Sequence, residues 1–199
     1  FLFNTLNSIN TLVGSSKEQA RKVITQLSDI FRYALDSHGD QMVKLLHEID
    51  FIDNYMRIQQ VRFGERLRFV KNVDFTCLGV SIPPMILQPL VENSVKYGIA
   101  PKDEGGTIVL TVKRTETSIY FEVKDDGLGS KAKKVMDSYT GSGVGLSNTD
   151  QRLRSIFGSG SGLRIHSNEN GYSVSFFIPA EVNIPQTTHM INEELNKAV

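Results

Sequence analysis

The sequence predicts an α+β fold: helices first, then a mixed, mainly antiparallel sheet covered by helices on one face. Three observations predict it. Apolar residues recur at spacings of three and four up to about Phe63, they alternate with polar ones at period two in several runs after Gly64, and two helical segments interrupt those runs.

The first helix-rich region runs from residue 1 to about 63. From Ser16 onward Val23, Ile24, Leu27, Ile30, Phe31, Ala34 and Leu35 make one apolar face, and Ser16-Lys17-Glu18-Gln19 fits a capping box that starts this helix. Ser37 to Asp40, with a glycine, reads as the break after it. A further helix spans about Lys44 to Phe63, with Ile49, Ile52, Met56 and Phe63 inward.

Past Gly64, Thr107–Arg114 alternates Ile108, Leu110 and Val112 with polar neighbours, and Ser118–Lys124 does the same with Ile119, Phe121 and Val123. Each is a half-buried strand, and together they form an antiparallel pair. Leu163–Ser167 and Tyr172–Ile178 flank Asn170-Gly171, a hairpin-turn signal because both residues tolerate positive φ. One interrupting helix runs from Pro83 or Pro84 to Tyr97, since proline suits a first helical turn; the other runs from Gly145 to Phe157. The stretch from Pro185 is polar and expected to be loosely attached.

Bulk properties exclude several classes. The 22 Lys+Arg balance the 22 Asp+Glu, so no net field draws the chain to nucleic acid or an anionic membrane, and any polyanion must be gripped locally. A single cysteine, Cys77, rules out an internal disulfide framework, cannot by itself make a zinc site, and reads as a small buried hydrophobe. No apolar run approaches the ~20 residues that span a bilayer. The opening Phe1-Leu2-Phe3-Asn4 has neither a starting Met nor a signal segment, as expected for a piece of something longer.

Three short segments carry chemistry. In Gln88-Pro89-Leu90-Val91-Glu92-Asn93-Ser94-Val95-Lys96-Tyr97-Gly98, Glu92, Asn93 and Lys96 gather an acid, an amide and a cation within about a turn, and an Asn carbonyl is a hard oxygen ligand suited to Mg²⁺. In Asp125-Asp126-Gly127-Leu128-Gly129 a carboxylate at a strand end is placed to accept a hydrogen bond from an exocyclic amine, while Gly127 and Gly129 let backbone approach a flat ring. In Gly141-Ser142-Gly143-Val144-Gly145-Leu146-Ser147-Asn148 alternating glycines open a helix, where free N–H groups and the helix dipole seat phosphate oxygens. Each alone is weak: a solvated helix face, an Asp-Gly turn and a glycine triplet are common.

Their order and spacing resemble the N, G1 and G2 boxes of the GHKL ATPase and kinase superfamily. The resemblance implies that superfamily's ATP-binding α/β sandwich. Asp125 would hold the adenine amine, Asn93 would coordinate Mg²⁺, and Lys96 with Gly141, Gly143, Gly145, Leu146 and Ser147 would contact phosphates. Tyr97, Gly127 and Gly129 would line the nucleotide, and residues 130–142 would form a lid. Phe1-Leu2-Phe3-Asn4-Thr5-Leu6-Asn7 is similar to the segment directly after the phospho-acceptor of LytS-like sensor histidine kinases, whose motif reads Pro-His-Phe-Leu-Phe-Asn. So is the helical set Leu46, Glu48, Ile49, Ile52, Tyr55, Ile58, Gln59, Arg62 and Phe63. That branch implies a helical dimerisation remnant over 1–63 lacking its acceptor histidine, an ATP-binding domain over 64–180, and a tail over 181–199. Also implied are transfer of the γ-phosphate to the histidine before Phe1 and thence to a response regulator, homodimerisation through the helices, and a cytoplasmic placement below a membrane-embedded sensor region. Hydrolytic relatives carry a glutamate base four residues before the metal-binding Asn. Here that position is Pro89, which takes no proton, so efficient hydrolysis is not expected; Glu92 stands as a candidate either to poise Mg²⁺ or to accept the imidazole proton. Asn4 would sit four residues past the acceptor. His38, His47, His166 and His189 match no acceptor motif. An ATP-sensing module without catalysis and a GHKL ATPase stand as alternatives.

Overall fold

In the computed structural model, residues 1–37, 39–132 and 144–180 are described. Helices α1 (Leu2–Ser15), α2 (Lys17–Asp36) and α3 (Leu45–Phe63) lead. Ser16 caps α2 as expected, its hydroxyl accepting from Gln19 N at 3.4 Å. Ser16→Ala is expected to cost about 0.5–1 kcal/mol in a urea unfolding titration, the usual loss for an exposed cap. The α2 face divides: Ala20, Val23, Leu27 and Ile30 are buried, whereas Ile24, Phe31 and Leu35 are exposed. Its apolar stripe is wider than α1 and α3 cover.

Strands β1 (Val43–Lys44) and β3 (Ser81–Ile82) pair antiparallel as a small clasp. The main sheet holds β2 (Leu67–Val73), β4 (Gly106–Arg114), β5 (Ser118–Asp125), β6 (Arg164–Asn168) and β7 (Gly171–Pro179), in the order β2-β4-β5-β7-β6. β2 runs parallel to β4, and the remaining pairs are antiparallel. Ile108, Leu110 and Val112 of β4, Ile119, Phe121 and Val123 of β5, and Val174, Phe176 and Ile178 of β7 alternate onto one buried face. There Phe121 and Phe176 stack with centroids 4.6 Å apart. Leu45, Ile52, Met56, Leu90, Val91 and Leu153 join the same apolar core, so the layers are helix on sheet.

Two expectations need correction. The hairpin turn is Glu169-Asn170, because Asn168 pairs with Gly171 and Asn168 Oδ1 accepts from Asn170 N at 2.8 Å, closing the turn one residue early. Gly171 is needed for a different reason: at φ 147° a Cβ there would run into the Asp125 carbonyl. The helix expected from Pro83 or Pro84 begins only at Gln88, as α4 (Gln88–Asn93), and continues as a π-helical turn over Ser94–Ile99. Its delayed start has a cause: the amides of Met85, Ile86 and Leu87, which would open a helix, all point at the Glu48 carboxylate. The last α-helix among the described residues is α5 (Val144–Phe157).

Candidate nucleotide site

Asp125 ends β5 and is 1% exposed. Its Oδ1 accepts from Gly127 N at 3.0 Å, an Asx turn that folds the chain back under the carboxyl. Oδ2 makes no hydrogen bond among the described residues, and neither does the buried Ser94 hydroxyl. Burial holds the Asp125 carboxyl above the usual aspartate range, with nearby Ser94 and the Gly127 amide pulling it part of the way down. Across the β5–β7 pair Tyr172 is pushed up to about 12, by burial first and by the Asp125 charge second. A buried acceptor left without a donor asks for one from outside.

Glycines let backbone approach this carboxyl closely. A Cβ on Gly98, in the π turn, would stand 2.5 Å from Asp125 Oδ1. A Cβ on Gly127 would strike the Gly98 backbone, and Leu128 N donates to Gly98 O at 3.2 Å. The segment after β5 is thereby held directly against the turn that follows Asn93. Gly129 sits at φ 53°, where a side chain would collide with the Asn168 carbonyl. Asp126 is exposed and structural: its Oδ1 accepts from Thr107 N at 2.7 Å and its carbonyl from Lys102 Nζ at 2.6 Å.

The π turn itself rearranges the site. Ala100 N reaches back five residues to Val95 O at 2.9 Å, widening the helix where Asn93, Lys96 and Tyr97 leave it; such turns recur at functional sites. Half-buried Asn93 ends α4, and exposed Lys96 lies over the Tyr97 ring with Nζ 4.7 Å from its centroid. Glu92 is half-buried, and its Oε1 accepts from Gln88 Nε2 at 2.8 Å.

A cavity of about 600 Å³ opens between this helix and the leading helices. Glu92, Lys96 and Tyr97 line it from one side, Tyr55, Gln59 and Arg62 of α3 and Phe1 and Asn4 at the head of α1 from the other. The buried Gln59 Oε1 and Tyr97 hydroxyl, both of residues on its wall, make no hydrogen bond among the described residues. Asn93, Asp125, Gly127, Gly129, Gly145, Leu146 and Ser147 are not among its walls, so the predicted residues fall into two adjoining groups, one about Asp125 and one facing the leading helices.

The third segment meets the first. Gly145 at the head of α5 lies beside Pro89, where a Cβ would make ordinary contact at 3.6 Å, and Arg152 Nη1 donates to Pro84 O at 2.5 Å. Leu146 is half-buried and Ser147 exposed. Gly141, Gly143 and most of the expected lid lie outside the described residues, as do His38 and the tail over 181–199. Sequence reasoning missed Gly98, Ser94, Gln88 and the Glu48 contact with residues 85–87; a glycine directly after a Glu-Asn helix was the available signal for the first.

A buried carboxylate at a strand end, closely approached by glycines and adjoining a Glu-Asn helix on which the helix headed by Gly145 packs, marks an α/β sandwich of the nucleotide-binding class. Residues 83–182 match the family model described as histidine kinase-, DNA gyrase B-, and HSP90-like ATPase, and the chain belongs to this family. Residues 1–67 match the model described as histidine kinase. The chain is similar to the sensor protein LytS of Staphylococcus saprophyticus, at 31% identity over 186 residues covering 90% of this chain and 32% of that one. It is also similar to the sensor histidine kinase YesM of Bacillus subtilis, at 35% identity over 181 residues, 90% of this chain and 31% of the other. It therefore spans about a third of the length of these relatives. In fold it resembles the histidine kinase domain of a blue-light activated kinase from Erythrobacter litoralis, with a TM-score of 0.51 at 14% identity over 84% of this chain and 82% of that chain. No helix among the described residues is long and apolar enough to cross a membrane.

Proposed function

We propose that this chain is the ATP-binding catalytic region of a sensor histidine kinase. The observation that carries the reading is Asp125 Oδ2, a buried acceptor without a hydrogen bond among the described residues, with Gly98 and Gly127 in close backbone approach beside it. The exocyclic amine of adenine supplies the missing donor. Asn93 offers a hard amide oxygen on the helix that continues into Gly98 and would hold Mg²⁺ together with the nucleotide's own phosphates. Bound there, the cation would neutralise phosphate charge as it develops. Lys96 and the N–H groups at Gly141, Gly143, Gly145, Leu146 and Ser147 would seat the phosphates.

Transfer rather than hydrolysis is supported by two features. Pro89 stands against Gly145 where hydrolytic relatives carry their base, and Phe1 and Asn4 share a cavity with Glu92 and Lys96. A histidine directly before Phe1 would enter beside that cavity. Its ring nitrogen would form a bond to the γ-phosphorus as the bond from phosphorus to the ADP oxygen breaks, and the ring proton would pass to Glu92, which Gln88 orients. The phosphate would then move to an aspartate of a response regulator; a solved complex of the kinase ThkA with the response regulator TrrA has a related fold, with a TM-score of 0.50 at 17% identity. Exposed Phe3, Leu6, Val13, Ile24, Phe31 and Leu35 support homodimerisation through α1 and α2; a membrane anchor in the whole protein belongs to this reading through the likeness to sensor kinases alone.

The test is the chain extended upstream through its acceptor histidine and incubated with γ-labelled ATP. Acid-labile, base-stable label on the protein is expected. Steady phosphate release without label would favour an ATPase, and nucleotide binding with neither would favour a sensing module.

A further inference from the structure

Glu48 belongs to the helical motif in the first region, yet the proposed chemistry leaves it unused. It is 0% exposed in the first turn of α3. Its Oε1 accepts from the Met85 amide at 2.5 Å and from the Tyr33 hydroxyl of α2 at 2.5 Å; its Oε2 accepts from Ile86 N at 3.1 Å and Leu87 N at 3.2 Å. Four donors satisfy one carboxylate, a costly group to bury otherwise. The three amides form a concave nest for the anion, and Met85 takes φ 57° to complete it, a conformation that a non-glycine residue holds only when its surroundings insist. In the same loop Arg152 of α5 donates to Pro84 O. Residues 83–87 are thus bonded both to the leading helices and to α5, and they run straight into α4, which carries Glu92 and Asn93.

We infer that Glu48 is a positioning residue of the nucleotide site: it sets where α4 begins, and its bond to Tyr33 ties that setting to α2, so that movement of the leading helices and occupancy of the site are coupled. This rests on the ATP-binding reading above. Coupling of this kind is reciprocal: if α2 biases the site, the nucleotide must bias α2.

The experiment compares the unchanged chain, Glu48→Gln and Tyr33→Phe by calorimetric titration with ATP and Mg²⁺ and by amide hydrogen exchange. A Gln side chain has one acceptor oxygen and directs an NH₂ at groups that are all donors, so Glu48→Gln should speed exchange at Ile86 and Leu87 and weaken ATP about fivefold, with β4 and β5 amides still protected. Tyr33→Phe keeps the nest; ATP affinity should stay within about twofold of the unchanged chain. In the unchanged chain ATP should slow exchange in α2 around Tyr33, and in Tyr33→Phe that slowing should vanish. The inference is overturned if Glu48→Gln frees the Ile86 and Leu87 amides yet binds ATP as before, or if ATP leaves α2 exchange untouched in the unchanged chain. Should Glu48→Gln not fold, the Tyr33→Phe comparison decides alone. Failure of the unchanged chain to bind ATP would instead remove the underlying reading.

Discussion

Asp125→Asn is expected to weaken ATP binding by about tenfold to a hundredfold, to leave purine riboside triphosphate nearly unaffected, and to raise the thermal stability of the nucleotide-free protein. Hydrogen bonds to a charged group are worth about 1.5–3 kcal/mol, and about 1.4 kcal/mol is a factor of ten in affinity. Replacing the carboxylate by an amide exchanges a charged acceptor for a neutral one, and the loss falls on the nucleotide that brings an amine. The sign of the stability change follows from burial. The folded-state carboxyl titrates above its unfolded value, so the folded state binds the extra proton, and stability falls as pH rises through that window. At neutral pH the buried charge is a destabilising element, which Asn removes while the neighbouring Ser94 hydroxyl can accept from the new amide. By the same reasoning ATP affinity should decline as pH drops from neutral into the raised range of Asp125, and this decline should be absent in the variant. Calorimetry with both nucleotides and a melting curve check each part; equal losses for both nucleotides would put adenine elsewhere.

How legible these features were depended on range. The β4–β5 pair, the α2 cap and the limits of α3 rest on local periodicity and capping, and they stand where the sequence puts them. β2 was missed although Leu67, Phe69 and Val73 alternate, because it is a largely exposed edge strand with Arg68 and Lys71 among its residues and its partner β4 lies parallel and far along the chain. The late start of α4 was beyond local reading altogether. Two prolines at a helix entrance are good helix signals, and only a carboxylate placed by the fold could take the next three amides away.

In the site the same division holds. Asp125 was legible as a carboxylate at a strand end, since strand and turn are contiguous in sequence. That Gly98 approaches it closely was not, because the contact joins two segments through a π turn that leaves no mark in composition. Gly127 reads locally as a turn residue, yet its larger requirement is the Gly98 backbone pressed against it. The cavity shared by Phe1, Asn4 and Glu92 likewise exists only once α1, α3 and α4 are packed together.

Asn93→Ala is expected to remove the magnesium dependence of ATP binding and to cost about a hundredfold or more in affinity when magnesium is present. Mg²⁺ keeps an octahedral oxygen shell filled by waters, phosphates and few protein ligands, so the loss of one protein oxygen is not shared among many. The fold should survive: Asn93 is the last residue of α4 and half-buried, and alanine is the best helix former. The decisive comparison is titration with ATP in magnesium and in excess chelator. The unchanged chain should bind far more tightly with the cation, whereas Asn93→Ala should bind weakly and equally in both, and Asn93→Asp, which restores an oxygen ligand, should regain the difference. Equal dependence in all three would assign the cation to other residues. It would leave the Asp125 reading standing, because the adenine contact and the metal contact are made by different segments and fail independently.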